Sequence, residues 1–326
     1  MSAPPYFEDL QVGTVFEDAP SLTLTEGHAA LHQAIAGDRL RLALDHTLGE
    51  AVLGAGPPLA HPALVWDVAI GQSTVATGRV IANLFYRGLV LRRPVRLGDT
   101  LRTTTEVVAR RENRSRPTGL AVLRIRTVDQ EDRPVLDFTR CAMLPLRAEP
   151  TGEAEDEVGG AEDLEHGALS AAAKGLDLAA FRERAPGPHF DAVPDGWTDE
   201  LEGGDVVDSA PALARLTLNV AMAHLDAGAA AHKRRLVYGG HTIALAAAQA
   251  ARVLPGLVTI LGWHAADHTA PVFEGDTLRS RLALELRESL PGGGGLVHLR
   301  STVAAVRADG ADTEDVLDWR FVAVMA

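Results

Sequence analysis

One nine-residue string occurs twice in this chain, and that repetition limits the fold more than any single motif. The first copy is Pro94-Val95-Arg96-Leu97-Gly98-Asp99-Thr100-Leu101-Arg102. The second is Pro271-Val272-Phe273-Glu274-Gly275-Asp276-Thr277-Leu278-Arg279, with seven of nine positions identical. Further on, Gly119-Leu120-Ala121-Val122-Leu123-Arg124 is answered by Gly295-Leu296-Val297-His298-Leu299-Arg300, and Val135-Leu136-Asp137-Phe138 by Val316-Leu317-Asp318-Trp319. Three matches in one order at a nearly constant offset mark a duplicated unit. Two copies are too few to stack as a solenoid. The chain is therefore a duplicated domain, or a dimer fused into one polypeptide. Its 326 residues suit about two domains.

The join between the copies is legible. Residues 149–167 are rich in Glu, Asp and Gly and poor in apolar side chains, a composition that cannot bury enough surface to fold alone. The division expected is a first unit over 1–147, an acidic linker and helix over 148–184, and a second unit over 185–326. Both units share a pattern. Thr25 to Ala36 has helical spacing, with Thr23-Leu24-Thr25-Glu26 fitting a capping box. Pro62 to Thr77 is apolar nearly all round, which predicts a buried helix. Four strand-like runs follow, at 80–90, 99–110, 119–130 and 135–146. The second unit predicts helices over 210–223 and 241–253, then strands over 257–265, 276–286, 296–306 and 316–325. A central apolar helix followed by consecutive long strands is an α+β plan, an antiparallel sheet wrapped around its helix. That is the hot-dog fold, here in tandem.

Composition narrows the function. A formal net charge of −13 argues against general affinity for nucleic acid. No stretch approaches the roughly 20 apolar residues of a membrane span, and residues 1–16 lack the pattern of a secretory signal. The lone Cys141 sits in an apolar run and reads as packing. A cytoplasmic protein with a small-molecule ligand is the expectation.

Histidine is the side chain that titrates nearest neutrality. His224 follows Asn219 by five residues in an otherwise apolar run, with Asp226 just beyond. This spacing suits a helix end unwinding into a loop, so that both side chains reach one cavity. A helix cap beside a satisfied core histidine fits equally. Next come Lys233-Arg234-Arg235, then Leu236-Val237-Tyr238-Gly239-Gly240-His241, and then an apolar helix. Two glycines at a helix start leave backbone N–H groups uncovered, able to hold a developing oxyanion. The basic run fits ligand phosphates or a solvated face. In the first unit, Asp38 stands opposite Asn219 and Ala43 opposite His224, while His61-Pro62 stands opposite Tyr238-Gly239. Asp38 is either catalytic or a turn residue, and Pro62 has no N–H to offer. His264 and His268 resemble metal-ligand spacing without further ligands, so no metal is expected.

The repeated Pro-Val-x-x-Gly-Asp-Thr-Leu resembles the strand entry of MaoC-like (R)-hydratases, whose motif reads Gly-Asp-x-Asn-Pro-Leu-His. Here that motif lands on Asn219 and His224, with asparagine in place of the aspartate and no Asn-Pro pair. Ile81-Ala82-Asn83-Leu84-x-Tyr86, Asn219-x-x-x-x-His224 and Arg234-Arg235-Leu236-Val237-Tyr238-Gly239-Gly240-His241 are similar to the double hot-dog mesaconyl-CoA hydratase (β-methylmalyl-CoA dehydratase) group. The resemblance implies reversible hydration of an α,β-unsaturated acyl-CoA, with the CoA thioester as substrate and no cofactor. It implies His224 as general base and Asn219 holding the water, with a share for Asp226. Gly239 and Gly240 would polarise the thioester carbonyl, and Lys233, Arg234 and Arg235 would meet the CoA phosphates. His241 would touch the acyl carboxylate or cap the helix. A hot-dog thioesterase, for which Asp67 is the candidate carboxylate, remains open. So do a non-catalytic acyl-CoA-binding protein and a dehydratase acting on carrier-protein thioesters. A homodimer and a self-sufficient pseudo-dimer are both open as well.

Overall fold

The structure, a computed structural model, describes residues 3–151, 158–159, 164, 166–308, 310 and 312–326. Most of the acidic linker lies outside the described residues. The first half runs β1 (Val15–Phe16), β2 (Leu22–Thr23), α1 (Glu26–Ala36), α2 (Arg41–Leu44), α3 (His46–Leu53), α4 (Pro62–Ser73), β3 (Ala82–Leu91), β4 (Thr100–Glu112), β5 (Thr118–Val128) and β6 (Pro134–Pro145). Two helices, α5 (His166–Ala173) and α6 (Leu178–Arg184), precede the second half. That half repeats the order as β7 (Thr198–Glu200), β8 (Asp205–Val206), α7 (Ala210–Leu216), α8 (Met222–Leu225), α9 (Gly239–Val253), β9 (Leu257–His268), β10 (Thr277–Ser289), β11 (Gly295–Val306) and β12 (Thr313–Met325).

The long strands join in one antiparallel sheet, ordered β1-β4-β5-β6-β3-β9-β12-β11-β10-β7. Its midline is the β3–β9 pairing, where Tyr86 faces Ala266 and Leu89 faces Trp263. Each half wraps its strands around its own central helix, α4 or α9, in a tandem hot-dog, and the two helices pack on each other. Burial explains their composition. All twelve residues of α4 are buried, so a polar face would have no water to meet. Its Asp67, Gln72 and Ser73 side chains are all hydrogen-bonded, as buried polar groups usually are. Gln72 donates to the Leu101 carbonyl at 3.0 Å, and its counterpart Gln249 on α9 donates to the Leu278 carbonyl at 2.9 Å.

Three details depart from expectation. The box at the start of α1 is closed by Thr25 and His28, whose backbone N–H and ring supply the partners, so Thr23 and Glu26 play no part. The helix expected over 210–223 stops at Leu216, because Leu218 takes φ 59° and turns the chain into a loop before α8. The helical stretch after the linker is two helices, interrupted at Gly175, which has φ 98°.

The halves meet over three tryptophans. Trp66 of α4 packs edge-on to Trp263 of β9, with ring centroids 4.9 Å apart, and Trp263 packs edge-on to Trp319 of β12 at 6.0 Å. Phe321 stacks on Trp319 at 3.9 Å. All four side chains are fully buried.

Candidate active site

The segment between α7 and α8 belongs to the second half but is held by the first. The Val220 N–H donates to Thr74 Oγ1 and the Met222 N–H to the Gly78 carbonyl, both at 2.9 Å. A side chain at Gly71 in α4 would collide with the Thr217 carbonyl, so the missing Cβ is what lets the loop lie against the helix. On this loop the Asn219 side-chain oxygen accepts the Ala221 N–H at 3.0 Å, which leaves its amide nitrogen as a buried donor without a partner. One turn further, His224 Nδ1 lies 2.8 Å from the Leu236 carbonyl. A carbonyl only accepts, so Nδ1 carries the proton and Nε2 keeps its lone pair. Burial pushes this imidazole down to about pKa 4. The Leu236 hydrogen bond opposes that shift, and the charge of Arg140 adds to it.

Asn219 and His224 line a cavity of about 190 Å³ between the halves. The second half also contributes Leu236, Tyr238, Gly239, Thr242 and His268. The first half supplies Thr74, Thr77, Asn83, Tyr86 and Arg140. His268 has an Nε2 with no partner and a pKa held at about 4 by burial. A Cβ on Gly239 would come within 2.6 Å of that nitrogen, so glycine keeps the wall open there. The Gly239 and Gly240 N–H groups open α9 and find no acceptor among the described residues, as expected for a first turn. Tyr238 at the N-cap donates its hydroxyl to Asp67 Oδ1 of α4 at 3.0 Å, while His32 Nε2 lies 3.1 Å from Asp67 Oδ2.

Several expected site residues stand elsewhere. Asp226 is exposed, caps the end of α8 and accepts the Gly228 N–H at 2.8 Å. It does not border the cavity. His241 is buried behind the first turn of α9, with both ring nitrogens unpartnered, and neither borders the cavity nor caps the helix, whose N-cap is Tyr238. Gly240 faces Asp67 rather than the cavity, and a Cβ there would strike that carboxylate. Asp67 itself is sealed behind Tyr238, so the carboxylate required by the thioesterase reading is missing from the cavity. Lys233 and Arg234 are exposed near the cavity mouth, where His232 and Leu236 line it. Arg234 stacks 4.2 Å above the Phe273 ring, and Arg235 pairs with Glu274. His264 and His268 diverge, since His264 Nε2 meets His298 Nδ1 at 2.9 Å while His268 faces the cavity. No group of three metal-ligating side chains occurs among the described residues.

The counterpart cavity in the other orientation has closed. Leu59, Pro62, Leu91, Val95, Thr259 and Ile260 surround a space of about 30 Å³, covered by Ala172 and Leu176 of the connecting segment. Asp38 makes the same turn as Asn219, accepting the Leu40 N–H at 2.8 Å. It pairs with His61 at 2.7 Å.

No family profile matches the chain. A conserved hypothetical protein of Mycobacterium tuberculosis, described as a double hot-dog fold, is 51% identical to it. The two structures superpose with a TM-score of 0.92 over 99% of both chains. A putative MaoC-domain dehydratase structure from Chloroflexus aurantiacus is 26% identical, with a TM-score of 0.86 over 100% of this chain and 98% of that one. Among curated proteins, β-methylmalyl-CoA dehydratase of Chloroflexus aurantiacus is 28% identical over 95% of this chain and 88% of its own. Mesaconyl-CoA hydratase of Cereibacter sphaeroides is 29% identical over 90% of this chain and 88% of its own. The chain belongs to the MaoC-like double hot-dog hydratases and dehydratases. As a member of that family it is a hydro-lyase, and no helix among its described residues is long and apolar enough to cross a membrane.

Two cavity residues of this MaoC-like chain escaped the motif reading. Arg140 left a signal. Along β6 the period of two places it on the same side as Leu136, Phe138, Ala142 and Leu144, all core residues, and a charge at an inward position is uncommon. His268 was read only as half of a metal pair, because its strand was expected to end at 265.

Proposed function

We propose that the cavity between the halves hydrates an α,β-unsaturated acyl-CoA reversibly, and that mesaconyl-CoA, giving β-methylmalyl-CoA, is the substrate. The observation that carries this reading is His224, a neutral imidazole with its Nδ1 proton committed to Leu236 and its Nε2 lone pair left for the cavity. The names of the two curated relatives support the acyl group.

In this reading the CoA thioester carbonyl lies at the start of α9. The unclaimed N–H of Gly239 donates to the oxygen as the thioester becomes an enolate, aided by the positive end of the helix. The Asn219 amide donates to the oxygen of water and holds it over Cβ. His224 Nε2 takes a proton from that water as its oxygen bonds to Cβ. The electron pair of the double bond moves toward the thioester, and the imidazolium returns the proton to Cα. One O–H bond and the π bond between Cα and Cβ break, and one C–O and one C–H bond form, with His224 unchanged. Asn219 cannot carry a proton at neutral pH, so one base serves both transfers. Lys233 and Arg234 at the mouth take the CoA phosphates.

The test is absorbance at the enoyl-thioester band with mesaconyl-CoA and crotonyl-CoA, with thiol release followed in parallel. Loss of the enoyl band on mesaconyl-CoA without free thiol is expected. Release of thiol would replace the reading with thioester hydrolysis, and silence on every enoyl-CoA would leave a binding role.

A further inference from the structure

Arg140 is 2% exposed, and no carboxylate answers it among the described residues. Its guanidinium reaches only neutral acceptors: the Ser73 carbonyl at 3.2 Å, Thr77 Oγ1 at 2.7 Å and Asn83 Oδ1 at 3.3 Å. Its Nε has no partner. Burying a charge without a counter-charge costs several kcal/mol, and guanidinium cannot escape by losing its proton. The chain could have avoided this cost. In β6, Arg140 lies opposite Tyr86 of β3. At the matching position of the second half, Phe321 of β12 lies opposite Trp263 of β9 and is stacked into the tryptophan cluster. The same register position thus holds an aromatic ring stacked in the core of the second half and a cation lining the open cavity in the first.

We infer that Arg140 is the subsite for a free carboxylate on the acyl group, so the cavity selects CoA thioesters of short diacids over those of simple fatty acids. The inference deepens the hydratase reading and rests on it for the position of the thioester. The thioester oxygen is not a second claimant for this cation. The N–H that suits it belongs to α9 of the second half, whereas Arg140 stands on the wall built by the first half, beside Asn83, Tyr86 and Thr77. Carboxylate and guanidinium match as planar forks, and beside a guanidinium as buried as Arg140 such a pair discriminates strongly against an uncharged methyl. The cavity, at about 190 Å³, also suits a short acyl group better than a fatty chain.

Saturated thioesters separate this proposal from the hydration chemistry, because they bind and cannot react. Calorimetric titration of the wild-type protein with succinyl-CoA and butyryl-CoA reads the ratio of the two Kd values. The expected ratio favours succinyl-CoA by at least about 30-fold. In Arg140→Gln the ratio falls to within about threefold of one, and in Arg140→Lys, which keeps a charge, it lies between the two. Thermal melts confirm that each variant is folded. A wild-type ratio near one overturns the proposal without any variant, and so does a folded Arg140→Gln that keeps the full preference. A protein that prefers succinyl-CoA yet hydrates no enoyl-CoA would retain the subsite and discard the hydratase reading. Hydration of mesaconyl-CoA and crotonyl-CoA at equal efficiency would do the reverse.

Discussion

His224 and Leu236 are joined by one hydrogen bond of 2.8 Å, from Nδ1 to the carbonyl oxygen, and this bond fixes which ring nitrogen can act as a base. Removing the imidazole in His224→Ala should lower kcat for enoyl-CoA hydration by about 10²- to 10⁴-fold, the usual worth of a positioned proton-transfer group. The enoyl-band assay measures this. A variant within about threefold of wild type would take His224 out of the mechanism.

Burial holds His224 near pKa 4, with the Leu236 bond opposing and Arg140 reinforcing the shift. A base of that pKa is unprotonated throughout the neutral range. The acid limb of kcat/KM, which reports the free enzyme, should therefore fall near pH 4, with a plateau from about pH 5 to 7. A limb near the ordinary histidine value of 6.5 would mean that the titrating base is another group or is far better solvated.

Stability should depend on pH through the same physics. His224, His241 and His268 have folded-state pKa values depressed by burial to about 4, 3 and 4. Between the ordinary 6.5 and these values the unfolded chain binds protons that the folded chain refuses, so stability drops as pH falls through that window and is fully present above it. Each imidazole contributes up to about 1.4 kcal/mol per pH unit. Asp67, raised by burial, works in the opposite direction. Urea midpoints between pH 7 and 4 should show the drop, and His241→Asn should reduce its slope by about one proton. An unchanged slope would remove His241 from the account.

The paired glycines should separate in their effects. Gly240→Ala drives a methyl into the Asp67 carboxylate, which is fully buried and bonded on both oxygens, so it should cost about 1–3 kcal/mol of stability. Gly239→Ala meets the end of the His268 side chain, 2.6 Å from its Nε2, where the ring has the cavity to move into. It should keep most of the melting temperature and lose hydration rate. Equal losses of stability in both variants would contradict this division.

Tyr238→Phe removes the hydroxyl that reaches Asp67 Oδ1 at 3.0 Å and leaves that buried oxygen without its partner. A loss of about 1–3 kcal/mol is expected in chemical denaturation. Asp67→Asn in the same background should recover part of it, because the amide needs less compensation than the carboxylate.

The fold was legible because duplication and alternation are properties of the string itself. The repeated Pro-Val-x-x-Gly-Asp-Thr-Leu-Arg marks the same strand entry twice, and Asp99 and Asp276 each accept a backbone N–H there at 3.0 Å, from Arg96 and Phe273. Asn219, His224 and Gly239 were legible as a spacing, since loop and helix start are short-range features. Asp226 and His241 were not, because their roles depend on which way a turn points. Asp226 turns outward on its own Asx turn, and His241 comes round the helix onto the face packed inside the protein. Arg140 needed the sheet register, which pairs it with Tyr86 from a strand more than fifty residues away in the sequence.

The tryptophan cluster gives the junction of the halves an optical label. Three of the four tryptophans, Trp66, Trp263 and Trp319, sit in it, and they come from both halves. Their edge-on packing at 4.9–6.3 Å couples the rings, so emission and near-ultraviolet dichroism report on the central seam before any other part of the chain. Separation of the halves would shift both signals while the outer strands were still paired. A titration of that kind follows the closing of the seam without a dye, a tag or turnover.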